Sequence, residues 1–103
     1  MKIEELAQAI EAQQRVGYIR RHGDRHPELV DMACRVTIKP GKKYTKIDVG
    51  RSGKYMVVNA TGEIFGIKAY GVIHRGHQYG TLDTATEWDW SDYVARRATI
   101  SRR

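Results

Sequence analysis

The feature that most constrains this chain is a series of short apolar segments, broken by turn residues about every ten positions between residues 40 and 81. Pro40-Gly41, Gly50-Arg51-Ser52-Gly53 and Asn59-Ala60-Thr61-Gly62 are the breaks, and Arg75-Gly76 is a fourth. Glycine supplies the positive φ that tight turns require, and proline fixes φ for turn entry. Between the breaks, Thr45, Ile47 and Val49 alternate with polar neighbours, which puts them on one face of a strand. Tyr55-Met56-Val57-Val58 is apolar on both sides, as a central strand would be. Phe65, Ile67 and Ala69 mark a fourth strand, with Gly66 predicting a bulge or a close neighbour. Val72-Ile73 and Tyr79-Thr81 predict a fifth strand and a short sixth. Short strands at this spacing predict a meander or a small, partly closed barrel.

The period of two extends upstream. Val30, Met32, Cys34, Val36 and Ile38 alternate with Asp31, Ala33, Arg35, Thr37 and Lys39, predicting a strand over 30–38. A helix beginning at Pro27 is the rival reading, and the β-branched end Val36-Thr37-Ile38 weighs against it. At the N-terminus, Ile3, Leu6, Ala7 and Ile10 have the spacing of one helical face, with Glu4 and Glu5 where the helix dipole favours acids. This predicts an amphipathic helix over 3–15 that stops at Gly17, followed by a loop over 18–27. Ser91 is placed to cap a short helix over Asp92–Ala98, with Trp88, Trp90, Tyr93 and Val94 packing back on the sheet. Arg102 and Arg103 are expected to fray. The expected fold is α+β, with residues 1–103 as a single domain. An N-terminal amphipathic helix packs on an antiparallel β-meander or partly closed barrel of about five strands, and a short C-terminal helix follows.

With 103 residues the chain can bury a core without covalent staples, and its one cysteine, Cys34, allows no internal disulfide. The start MKIEELAQAIEAQQ lacks the basic opening and long apolar run of a signal peptide, and no later run is long enough to span a membrane. These features predict a cytoplasmic protein with no membrane contact.

Charge is unevenly distributed. Of a net charge of +6, residues 15–54 hold eleven Lys/Arg against four acids, whereas residues 55–95 hold two against five. Arg20, Arg21, Arg25, Arg35, Lys39, Lys42, Lys43, Lys46, Arg51 and Lys54 are the candidate nucleic-acid-binding residues. Clustered cations serve phosphate contact, and Tyr18 and Tyr44 are available to stack on unpaired bases. The only clear helix has an acidic face, so DNA or RNA would be bound by shape or as a single strand rather than read in the major groove. The bland alternative is a solvated polar sheet face. A third reading pairs basic and acidic faces of two chains, giving a protein-interaction module or a homo-oligomer.

Catalytic patterns are sparse. Ile73-His74-Arg75-Gly76-His77-Gln78-Tyr79 can bring two histidines together at a turn. With Asp83 they would form an incomplete metal set; with Arg75 they would form an acid–base pair of the kind a nuclease uses. The reading preferred over both is a hairpin whose histidines and tyrosine edge pack on the sheet or donate to loop carbonyls. Cys34 falls in an apolar alternation and reads as a buried, inert thiol. Ser52 lacks the strand-to-helix elbow of a hydrolase nucleophile. The glycines match no phosphate or dinucleotide loop. Asn59-Ala60-Thr61 matches a glycosylation sequon that means nothing without secretion. No catalytic residue, metal ligand or cofactor is assigned, and the chain reads as a non-enzyme. Trp88 and Trp90 either close the core or present an acidic-aromatic patch to a partner.

Residues 43–83, KYTKIDVGRSGKYMVVNATGEIFGIKAYGVIHRGHQYGTLD, resemble a small family of uncharacterised proteins encoded by phages of actinobacteria. The helix and the tail lie outside the resemblance. It implies a viral origin, expression in a bacterial cytoplasm, and a role of the accessory type, binding nucleic acid or blocking a host protein.

Overall fold

The structure, a computed structural model, describes residues 1–69, 72–92 and 94–97. Two helices come first, α1 (Ile3–His22) and α2 (Pro27–Cys34). Five strands follow: β1 (Val36–Lys39), β2 (Tyr44–Val49), β3 (Ser52–Val58), β4 (Glu63–Ala69) and β5 (Val72–Thr81). A 3-10 helix over Leu82–Glu87 leads into a two-stranded ribbon, β6 (Trp88–Asp89) and β7 (Arg96–Arg97).

α1 forms where its apolar spacing predicts, and Glu5 Oε1 accepts the Lys2 N–H at 2.8 Å to satisfy one orphan donor of the first turn. It does not stop at Gly17. The helix continues to His22 and ends at Gly23, whose φ of 80° only glycine adopts without strain. Gly17 is buried because the backbone of residue 91 lies against it, where a Cβ would overlap the Ser91 carbonyl. Tyr18–His22, expected in a loop, is therefore the last turn, where Arg20, Arg21 and His22 complement the dipole.

The strand expected over 30–38 is two elements. Pro27 sits at the start of α2, where its missing N–H costs nothing, and Glu28 follows in the first turn. Val30 and Cys34, four apart on one helical face, are buried; Met32 between them is 57% exposed, so the alternation did not mark a strand face there. Arg35 caps α2 in extended conformation, and β1 takes only Val36–Lys39. Cys34 is buried as expected, but on a helix. An ionic network joins the three elements: Arg15 of α1 pairs with Asp31 of α2 at 2.6 Å and with Glu11 at 3.5 Å, while Glu11 accepts the Val36 N–H at 2.9 Å.

The sheet is an open antiparallel meander in the order β1-β2-β3-β4-β5, and not a closed barrel. β3 is central, as its two-sided apolar sequence predicts. Register places Ile38, Ile47, Tyr55, Gly66 and His74 in one row across the strands. The alternate row is Lys39, Lys46, Met56, Phe65 and Gln78. The core lies against the first face, where Leu6 and Ile10 of α1 pack with Ile47, Val49, Tyr55, Val57, Ile64, Tyr79 and Trp90. Each fully buried large side chain there contributes about 1.5–3 kcal/mol. On the opposite face Met56 and Phe65 are also buried.

β5 runs through the position where two strands were expected. Its ladder is nevertheless broken: Phe65 pairs with Gln78 and the next residue, Gly66, with His74, so Arg75, Gly76 and His77 have no partner on β4. Among the described residues there is no short C-terminal helix. Arg96–Arg97 instead pairs with Trp88–Asp89, and the Ser91 hydroxyl donates to Asp89 at 2.6 Å rather than capping a helix. Tyr93, Ala98, Arg102 and Arg103, parts of that expectation, lie outside the described residues. Trp90 is buried and Trp88 packs on the core, so both close it. The Trp90 indole N–H donates to the Ala85 carbonyl at 3.1 Å. α1 holds this segment: Gln14 donates to the carbonyls of Trp90 and Asp92, and Gln13 accepts the Trp90 N–H at 2.7 Å.

Candidate functional site

The ten cationic residues separate into groups. Lys39 and Lys46 are direct cross-strand neighbours on the face of β1–β2 opposite the core, and Lys42 and Lys43 stand exposed on the turn joining those strands. Thr37 shares the Lys39 face, but Arg35 leaves it by capping α2. Lys43 Nζ lies 5.8 Å from the centre of the Tyr44 ring. Lys39 also bonds the buried carboxylate of Asp48 at 3.1 Å.

One side chain organises this hairpin. Asn59, after β3, donates to the carbonyls of Gly41 and Lys42 at 2.8 and 3.1 Å. Its side-chain oxygen accepts from the Thr45 hydroxyl at 2.7 Å, and its backbone N–H bonds the Lys43 carbonyl at 3.0 Å. Four hydrogen bonds thus fix the backbone that carries Lys42 and Lys43. In the sequence Asn59 offered only a sequon, and nothing there marked its reach to residue 41.

The remaining cations lie toward the other end of the sheet. Arg51 is in the β2–β3 turn, and the Gly50 N–H bonds the Arg35 carbonyl at 2.8 Å, which sets Arg35 beside that turn. Arg20 and Arg21 end α1. Arg21 pairs with Asp92 at 3.4 Å and donates to the Ser91 carbonyl at 3.3 Å. Arg25 lines a small cleft with Tyr18, His22 and His26. β2 is six residues long, so roughly 17–20 Å separates the Lys42–Lys43 turn from the turn that carries Arg51. Lys54 belongs to neither.

Lys54 is displaced by a β-bulge. Ile47 pairs with Tyr55 and Asp48 with Gly53, which makes Lys54 the extra residue of the bulge. An extra residue of this kind re-aims side chains, and Lys54 lines the same cleft as Tyr55. That cleft, about 380 Å³, is also lined by Gly66, His74, His77, Tyr79 and Val94. The break in the β4–β5 ladder supplies the histidines, whose ring centres are 4.1 Å apart. Gly66 is its floor: a Cβ there would come within 3.2 Å of the Tyr79 hydroxyl and 3.3 Å of His77. Burial raises the Tyr55 phenol above its ordinary value, with a smaller push from Tyr79, and burial raises Tyr79 as well. Burial lowers Lys54, and the nearby Arg21 charge adds to the effect. The Tyr55 hydroxyl and His74 Nδ1 are buried and have no hydrogen-bond partner among the described residues.

The other chemical candidates stay apart. Among the described residues no three His, Cys, Asp or Glu side chains converge, so Asp83 does not complete a metal set with His74 and His77. Burial raises the Cys34 thiol above its ordinary value, which keeps it protonated. Among the described residues no helix is long and apolar enough to cross a membrane. Compared with family models, with curated proteins and with solved structures, the chain matches none.

Proposed function

We propose that this protein is a non-enzymatic accessory protein that binds nucleic acid through the β1–β2 hairpin. The observation that carries the reading is the pinned turn: Asn59 holds the backbone of Lys42 and Lys43 in one conformation, beside the Lys39–Lys46 pair and Tyr44. Cations held in place lose less entropy on meeting a phosphate backbone than cations on a loose loop. A strand hairpin with an aromatic ring beside its lysines suits single strands, where phosphates meet charge and bases meet a π-face. The resemblance of residues 43–83 to phage-encoded proteins fits an accessory role in a bacterial cytoplasm.

The test is a titration with single- and double-stranded DNA and RNA at about 50 and about 200 mM salt. Four phosphate contacts on a duplex lower affinity roughly a hundredfold across that range. Asn59→Ala removes no charge, yet it should weaken binding several-fold by loosening the turn. Equal binding by Asn59→Ala and the parent protein would reduce the effect to net charge and end the proposal.

A protein-interaction module is the second reading, and specific residues favour it. Val16 and Ile19 on α1, and Leu29 and Met32 on α2, are exposed although apolar, Val16 by 56% and Met32 by 57%. The α1 face carrying Leu6 and Ile10 already packs on its own sheet, so a partner would meet these other positions. Concentration-dependent sedimentation that Met32→Lys abolishes would decide for it.

A further inference from the structure

We infer that the cleft between β3 and β5 is a binding site for a phosphoryl group, separate from the lysine hairpin and independent of the nucleic-acid reading. Three observations converge on it. First, two irregularities in different strand pairs open onto the same space: the bulge at Lys54 and the unpaired run Arg75–His77. Bulges cost ladder hydrogen bonds, and they concentrate where a side chain must be re-aimed toward a ligand. Second, Tyr55, in a wall of the cleft, is only 1% exposed, and its hydroxyl has no hydrogen-bond partner among the described residues. A buried hydroxyl left in that state costs about 1–3 kcal/mol, and an oxyanion accepting from it removes the penalty. His74 Nδ1, in the same wall, is a second buried polar atom without a partner among the described residues.

Third, the surrounding charge is positive. Lys54 and Val94 line both this cleft and an adjoining hollow bounded by Gln14, Arg21, Asp92 and Arg96. The two hollows therefore share Lys54, and Arg21 and Arg96 line the second of them. Burial and the Arg21 charge both work against the charged form of Lys54. Asp92, already bonded to Arg21, is the acid of that lining. Donors from Tyr55, Lys54 and the histidine pair, around a floor that Gly66 keeps free of a Cβ, match the several oxygens of a phosphate monoester. Such a group is supplied either by free phosphate or by the terminus of a nucleotide chain.

The experiment follows backbone amide and histidine ring resonances of the whole protein by NMR during addition of three probes. These are sodium phosphate, sodium chloride at matched ionic strength, and a dinucleotide with or without a 5′-phosphate. Saturable shifts at Lys54, Tyr55, His74 and His77 with phosphate but not with chloride support the site. A 5′-phosphorylated dinucleotide that binds more tightly than both phosphate and its 5′-hydroxyl form identifies the nucleotide terminus as the source; equal affinity for phosphate and the phosphorylated dinucleotide identifies free phosphate. Equal shifts with chloride, or phosphate shifts confined to Lys42 and Lys43, would overturn the assignment. Tyr55→Phe removes one oxygen and keeps the ring. It should lower phosphate affinity about tenfold, as expected for a hydrogen bond to a charged acceptor. Lys54→Gln should do the same through a different group. Unchanged affinity in both variants, each still showing the parent's dispersed spectrum, also overturns it.

Discussion

Along β1–β2 each residue from Val36 to Lys39 meets one partner in sequence, from Val49 back to Lys46. Along β4–β5 the register slips repeatedly, and three consecutive residues of β5 are out of register with β4. The two regions belong to one sheet but do different things with their side chains. The regular ladder alternates strictly, so it displays lysines on the outer face and turns apolar residues toward the core. The slipped ladder breaks alternation, brings His74 and His77 together and opens a cleft beside the bulged Lys54. The regular ladder presents its lysines on one face, and the slipped ladder gathers its histidines at a cleft.

Three variants would break or sharpen this contrast. The largest effect belongs to Trp90, fully buried beneath the cleft with its ring 5.2 Å from Tyr55 and 6.2 Å from Tyr79. Trp90→Ala should cost about 3–5 kcal/mol in denaturant unfolding. A cost below 1 kcal/mol would mean that the cleft side does not carry the stability assigned to it.

Ser91→Ala comes next. The Ser91 hydroxyl and amide both donate to Asp89, and these bonds hold its carboxyl below the ordinary carboxylate value. Losing the hydroxyl should cost about 1 kcal/mol at neutral pH. Because the folded-state value is depressed, this stability is present above the unfolded carboxyl's pKa, 3.8, and is lost as pH falls through the folded value. The parent and the variant should therefore converge in stability in acid, and a constant gap across the acid range would refute the linkage.

The smallest change in stability is expected at the hairpin. Lys42→Ala with Lys43→Ala should move unfolding by no more than about 0.5 kcal/mol, since both are exposed turn residues. The same pair should lower the salt slope of nucleic-acid binding by about 2. A large loss of stability would show that the hairpin also bears on the fold, and the contrast between the two regions would fail.

Much of the fold was legible in local pattern. β2, β3 and β4 appear where alternation and turn residues put them, since one-sided burial leaves its period in the sequence. α2 was misread because Val30, Met32 and Cys34 satisfy a period of two, while the burial of Val30 and Cys34 with Met32 exposed satisfies a helix. Pro27 and Glu28 carried the correct start signal, and the β-branched run that outweighed them belongs to β1. Gly17 misled for another reason. A helix-breaking residue was retained because a backbone 74 positions away needs the space. The site was half legible: the sequence named the lysines and the histidine pair, but the two bulges that place Lys54 and the histidines depend on cross-strand register. Asn59, which fixes the lysine turn, acts across a strand pair and leaves no local mark.

The grip of α1 on residues 90–92 spans 76 to 78 positions of chain. In a cell the first of these partners leaves the ribosome well before the last. At about 5–20 residues per second, the helix waits roughly 4–15 s for its own counterpart to be synthesised. Throughout that interval Leu6 and Ile10 lack part of their final cover, and the nascent chain is open to chaperones or to association with neighbouring copies. The rate of translation through the middle of the message therefore sets how long a vulnerable intermediate persists, and slowing codons between the two segments should lower the yield of folded protein without altering a single residue of it.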